Sequence, residues 1–504
     1  MKKRILIFAA ATLLTACTKD ITKLNIDPKH PVTVPSYALF TQAENLMANN
    51  MTSVSENDNI LRLIEQQWTE VQYLTESQYN IPGRSIADGI WDEFYTGPLT
   101  NFEKAKGLMK TDVSDAGTLK NELAISDICE VYCFYYLVTT FGNVPYSQAF
   151  NINTTLFPKY DDAATIYADL LKRLDADIAN LDPSAGSFGS ADMIYGGDAA
   201  AWKKFGNTFK IKMGILLADS DPTTAQAVIK SATSDPGGIF ASNGDNALYK
   251  FSSSPPYTNQ AWVGLVQSGR YDYVATDTYM TLLGSQNATD LTIGDPRTKY
   301  YFAQNKNGNY VGAPNAVKAI LFSNYSLPSG SELTKGNTTG QAASVGSLAN
   351  ANFPGDLLDY SETQFYLAEA VARGLYTVGN AAAYYRNGIA ASMQYWTGVD
   401  DNAANAMADA LILTHPIGVG KAAQLQAIAA QQYLALYNRG YDAWTVNRRL
   451  DYPVLIPPPN AISAFPVRFT YPNKEQQINS SNYQAASTAI GGDVVTTKLW
   501  FDKK

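Results

Sequence analysis

The chain has 504 residues, 46% of them hydrophobic, and a formal net charge of −8. That length can bury a large core, and the acidic balance argues against nucleic acid as a partner. Two histidines and three cysteines leave little material for a His-based triad, a His-ligated metal centre or a disulfide framework.

Lys2, Lys3 and Arg4 precede an apolar run from Ile5 to Leu14. The run falls well short of the ~20 residues a membrane-spanning helix needs. Basic start, short apolar run and small residues before a polar break read residues 1–16 as a secretory leader. Leu14, Thr15, Ala16 and Cys17 resemble a bacterial lipobox. That implies lipidation of Cys17 and a protein held on a membrane by acyl chains, each buried methylene adding ~0.8 kcal/mol. Thr18, Lys19 and Asp20 follow at once, and charge in that place resembles a surface-export tag. Without the three basic residues of the leader the balance becomes −11. Residues 17–35 carry prolines and no apolar periodicity, so they read as a lipidated tether. Residues 36–504 then read as a single domain.

Within that domain the pattern is mostly helical. Tyr167, Leu170, Leu171, Leu174, Ile178 and Leu181 recur at helical spacing, with Asp161 and Asp162 before them and Pro183 after. Similar helices are expected over 37–51, 60–73, 119–141, 199–219, 223–233, 362–375, 381–396 and 422–438. Residues 202–233 and 365–396 are each close to one 34-residue helical hairpin. Phe365, Ala368, Ala370, Gly374, Ala382 and Tyr385 loosely follow tetratricopeptide spacing, with small residues where paired helices touch. The fold class is therefore mainly α, a scaffold of TPR-like helix pairs. Cys129 and Cys133 lie four apart on one helix, a poor geometry for a disulfide, and read as core thiols.

One large region breaks the pattern. From about 236 to 355 the chain is rich in Gly, Asn, Ser, Thr and Pro. Loops this long inside a folded body are usually functional or disordered, and the interspersed aromatics favour function. Smaller irregular patches cover 73–97 and 451–482. Ligand contacts belong in these patches. Aromatic side chains there offer a rigid apolar body with a polar tip. The first cluster is Tyr73, Tyr79, Arg84 and Trp91 with Asp92, around a Pro82–Gly83 turn. The second is Tyr257, Asn259, Gln260 and Trp262. Tyr310 is the third. Asn305 to Asn309 lacks the carboxylates and closing Glu of a calcium loop, and residues 418–421 lack the frame of a phosphate-binding loop. No metal and no cofactor are expected.

An ordered series of motifs runs along nearly the whole domain. GNVPYSQA (142–149), WKKFGN (202–207), GDPR (294–297) and LAEA (367–370) are followed by YDAW (441–444), Arg448 and Arg449. RFTYP (468–472), Glu475, Asn479, Gly491, Gly492, Asp493 and TKLWFD (497–502) complete it. Together with the lipobox, the series resembles the SusD/RagB family of nutrient-binding outer-membrane lipoproteins. Val446 and Asn447 stand where an aromatic is expected. The resemblance implies TPR-like helix pairs carrying a loop-built ligand site, and no catalysis. It implies oligosaccharide, or alternatively peptide, passed to a SusC-like TonB-dependent outer-membrane barrel, with the lipid anchor facing the cell exterior. Arg448, Arg449, Glu369 and Asp295 read as paired charges fixing helix ends. The competing class is a secreted glycoside hydrolase using two carboxylates, with Asp92 and Glu93 or Asp356 and Asp359 available. Acids so close on one segment diverge, and nothing in the sequence supplies a partner across a cleft. A TPR scaffold without any ligand site is the third reading.

Overall fold

The structure, a computed structural model, describes residues 34–55, 59–292, 294–318, 321–329, 348 and 350–504. The leader and Cys17 lie outside them. The scaffold helices are α1 (Ser36–Thr52), α2 (Ile86–Phe94), α3 (Thr100–Asp112), α4 (Ala116–Phe141), α5 (Ala163–Asn180), α6 (Ala199–Leu216) and α7 (Pro222–Ser234). After the loop-rich region come α8 (Tyr360–Arg373), α9 (Ala381–Thr397), α10 (Asp401–Thr414), α11 (Lys421–Ala435) and α12 (Gly440–Leu450). No helix among the described residues is long and apolar enough to cross a membrane.

The helix starts are written in the sequence. Asp115, Asp162, Asp198, Asp221, Asp359, Asn380 and Asp400 each accept a hydrogen bond from a backbone N–H in the first turn of the helix that follows. Each satisfies a donor that the helix itself leaves without a partner. Gly374 and Gly398 close α8 and α9 in the left-handed region.

The helices pack on one another: α4 on α5, α5 on α6, α6 on α7 and on α8, α8 on α9 and α11, α9 on α10, and α11 on α12. Small residues set the spacing. A Cβ at Gly206 would stand 2.6 Å from Ile178, and one at Gly388 would stand 2.9 Å from the Phe365 ring. The helix-pair scaffold expected from the sequence is the fold.

Buried charge knits the pairs together. Lys212 of α6 meets Glu362 of α8 at 2.8 Å and also bonds Asp442 of α12. Arg439 donates to Glu362 at 2.7 Å, Asp442 at 2.6 Å and Asp359 at 3.1 Å. Arg297 donates to Asp295 at 2.7 Å and to Ser392 and Gln431. Arg448 differs from its expected ion pairing. Its guanidinium lies 3.5 Å from the centre of the Trp444 ring and donates to the carbonyls of Thr139 and Val467. Burial pushes its pKa down to about 9. Cys129 and Cys133 are free, buried thiols.

Two sequence expectations fail. A helix over 60–73 is replaced by one turn, Leu61–Ile64, and a strand, β1 (Trp68–Glu70). The backbone turns left-handed at Gln66, with φ 51°, and its side-chain amide donates to the Tyr79 hydroxyl and to the carbonyl of Ile456. Conversely, the irregular patch 73–97 contains α2. The loop-rich region holds β2 (Ala247–Tyr249), β3 (Tyr273–Ala275) and short turns, and ends at β4 (Gly355–Leu358), which pairs with β2.

Candidate functional site

β1 pairs antiparallel with β3, with Trp68 opposite Ala275 and Glu70 opposite Tyr273. This ribbon joins the first irregular patch to the loop-rich region. Val71 extends it by donating to Asp272 O at 3.0 Å. On the far edge of β3, Ala275 donates to Ser326 O and accepts from Ala313 N, both at 2.8 Å. Val71, Val274 and Ala313 form a small core there, backed by Phe322, Tyr325 and Leu327.

The end of the ribbon is an aromatic platform. Tyr271 and Phe322 lie parallel, ring centres 4.8 Å apart and planes 5° apart. Beside them a shallow depression is lined by Glu70, Tyr73, Arg270, Asp272 and Tyr273. Tyr73 is 64% exposed. Its loop is closed by a reciprocal pair: Ser77 Oγ accepts from Glu70 N and donates to the Glu70 carboxyl, each at 3.0 Å. Arg270 Nε meets Asp272 Oδ2 at 2.6 Å. Arg84 Nη1 lies 3.1 Å from buried Glu76 Oε1. Burial, with Glu76 close by, raises the Glu70 carboxyl far above the usual carboxylate range. The surface therefore combines exposed ring faces with guanidinium and carboxyl groups. A polymer lying across it can stack apolar faces and bond hydroxyls or amides.

The expected contact residues divide into separate places. Tyr73 and Arg84 belong to the ribbon end. Trp91 sits instead at the floor of a groove of 600 Å³ with Tyr95, Phe150 and Glu475. It is 6% exposed, with Tyr95, Phe141, Tyr160 and Tyr471 around its ring. Asp92 pairs with Lys474. Tyr257 stands at the mouth of a third cavity, and Trp262 is half-buried in the turn Gln260–Trp262.

Three expectations of solvent-facing contacts are corrected by burial. Tyr79 is in the core, accepting from Gln66 Nε2 at 2.8 Å and packing edge-on against Phe465. Asn259 caps the turn after it, accepting from Ala261 N at 2.7 Å and donating to Phe353 O at 2.8 Å. Tyr310 is buried in a core shared by Trp68 and Tyr437. Each sits in an irregular stretch, but its side chain is spent on holding that stretch in place.

Sequence reasoning missed Tyr271, Phe322, Arg270 and Asp272. The available signal was the run Gly269, Arg270, Tyr271, Asp272, Tyr273, a turn glycine followed by alternating Tyr and Asp. The acids nominated for hydrolysis are placed structurally: Asp359 caps α8 and bonds Arg439, and Asp356 lies 3.7 Å from the same guanidinium.

A family model described as "Starch-binding associating with outer membrane" matches residues 28–472. No curated protein matches the sequence. Among solved structures, a chitin-binding protein is 24% identical, covers 93% of this chain and 100% of its own, with a TM-score of 0.76. A chitin-binding SusD homologue from Flavobacterium johnsoniae is 20% identical, covering 92% and 99%, with a TM-score of 0.74. A SusD homologue from Parabacteroides distasonis is also 20% identical, covering 93% and 97%, with a TM-score of 0.75. At these identities the likeness to solved structures is one of fold.

Proposed function

Because the chain belongs to the SusD-like family, we propose that it is a glycan-binding lipoprotein of the outer-membrane surface. It captures oligosaccharide on the platform at the ribbon end and passes it to a SusC-like TonB-dependent barrel. Cys17 carries the lipid that holds it there. It binds and does not cleave.

The observation that carries the ligand reading is the placement of Tyr73, Tyr271 and Phe322 beside Arg270 and Asp272. The exposed Tyr73 ring and the partly buried Tyr271 and Phe322 pair suit the flat apolar faces of pyranose units, and charged groups at the rim suit their hydroxyls. The depression beside them is too shallow to enclose a ligand, which fits a polymer lying on the surface.

Calorimetric titration with soluble glycans and, separately, with a mixed peptide digest tests the reading. Heat with glycans is expected, with the platform affinity weakened about fivefold in Tyr73→Ala. Heat with peptides alone would replace oligosaccharide by peptide. New reducing ends released during incubation would overturn the non-enzymatic role. Labelled palmitate should enter the wild-type chain and be absent from Cys17→Ala. Affinity purification from membranes should bring down an outer-membrane barrel.

A further inference from the structure

A cavity of 720 Å³ shares no lining residue with the ribbon-end depression or the Trp91 groove. Its size is that of a small-molecule site. Separate stretches converge on it: the start of α1, the start of α4, residues 188–193, and β2 with the loop after it.

Its walls are fixed. Phe188 stacks on Phe40 with ring centres 3.6 Å apart. Tyr249 accepts from Asn45 Nδ2 at 3.0 Å, and Asn45 in turn accepts from Asn49. Its mouth is open. Tyr37 is 55% exposed and Tyr257 is 52% exposed. Tyr257 is held by a bond from Ser252 N to its carbonyl at 2.7 Å.

Glu122 of α4 lines the cavity and is 6% exposed. Its Oε2 is buried without a hydrogen-bond partner. Among the described residues no cation pairs with it, and burial alone pushes its carboxyl up to about 7. A buried polar group left unsatisfied costs stability, so its retention calls for an explanation outside the chain's own bonds. A carboxyl oxygen with an unused hydrogen-bonding position, in a cavity with tyrosines at its open mouth, is the chemistry that recognises a hydroxylated ring.

We propose that this cavity is a second saccharide-binding site, separate from the platform, in which Glu122 bonds a ligand hydroxyl while Tyr37 and Tyr257 cover the ring faces. The ligand class rests on the glycan reading above; the site does not depend on the platform. A chain with two such sites holds a polymer at two points, which raises its grip without new contacts at either one.

Titration of the purified protein with chitotriose and with maltotriose tests this. The variants are the cavity pair Tyr37→Ala/Tyr257→Ala, the single Glu122→Leu, and the platform pair Tyr73→Ala/Phe322→Ala. Tyr37 and Tyr257 are half exposed, so the folded state should survive their truncation, and unchanged circular dichroism checks this. The expected result is two trisaccharides per wild-type chain and one per chain in either double variant. Glu122→Leu should weaken the cavity site by about tenfold, the loss of one buried polar contact. One trisaccharide per wild-type chain, lost in the platform pair and untouched by the cavity variants, would overturn the second site and leave the platform reading intact. Binding lost in the cavity variants alone would support this site and overturn the platform. A wild-type protein that takes neither trisaccharide would overturn both.

Discussion

Arg449 lays its two terminal nitrogens on the two carboxylate oxygens of Glu369, at 2.5 and 2.8 Å, and both side chains are buried. Arg373 adds its Nε to the same carboxylate at 2.7 Å and closes on Asp219. The arginines hold the Glu369 carboxyl below its ordinary range despite complete burial. This joint ties α8, from the middle of the helix-pair array, to α12 at its end. Glu369→Ala leaves Arg449 buried without its carboxylate and should cost about 3–5 kcal/mol. The measurement is the urea midpoint at unchanged slope. Replacing the pair together by Glu369→Leu/Arg449→Met should recover most of the loss. A single-variant cost below about 1 kcal/mol would refute the joint's structural role.

Tyr79 separates a core role from a contact role. Truncation to Ala removes a fully buried ring and should cost about 3–5 kcal/mol. Tyr79→Phe loses only the bonds to Gln66 and Ile64 and should cost about 1 kcal/mol. Neither change should alter glycan affinity of the folded protein. An affinity loss in Tyr79→Phe at full folding would return this residue to the binding surface.

The helix pairs were legible because their signals are local. Aspartate caps, apolar spacing and closing glycines lie within a few residues of the ends they define, as at Asp162 and Gly374. The ribbon was not legible. Trp68 to Glu70 form a strand only because Tyr273 to Ala275, some 200 residues later, supply its partner. An apolar run with Leu61, Leu63 and Ile64 carries a helical pattern until Gln66 turns the chain. The same distance hid the platform: Tyr73 could be nominated from its loop, whereas its neighbours Arg270 and Asp272 come from the segment that leads into the other strand. Residue type alone also failed to sort exposed from buried aromatics. Tyr73 and Tyr79 share one loop and one composition, yet one is 64% exposed and the other 0%.

Truncating the exposed Tyr73 should affect binding and spare folding. Tyr73→Ala and Phe322→Ala should each weaken glycan affinity by about 1 kcal/mol, roughly fivefold, if one ring face is lost per variant. Tyr73→Ala, being exposed, should move unfolding free energy by no more than about 0.5 kcal/mol. Calorimetry and thermal unfolding on the same samples separate the two effects. Affinities that stay at the wild-type value in both variants would remove the platform from the function.

Glu122 gives a pH signature to the second cavity. Its carboxyl is raised to about 7 in the folded chain, by burial alone, against about 4.3 in an unfolded one. Between these values the native state holds a proton that the unfolded state has released. Glu122's contribution to stability therefore falls as pH rises from about 4 to about 7, and levels off above. Glu122→Gln removes this linkage while keeping the shape. The cavity is open to water, so the full shift is discounted, and the variant should gain about 1–2 kcal/mol on wild type at pH 8. Below pH 4 the two should differ little. The difference between their urea midpoints across pH isolates Glu122, because every other titrating group is common to both proteins. A pH-independent difference would mean that the carboxyl is solvated like an ordinary surface acid, and that the cavity floor offers no desolvated group to a ligand.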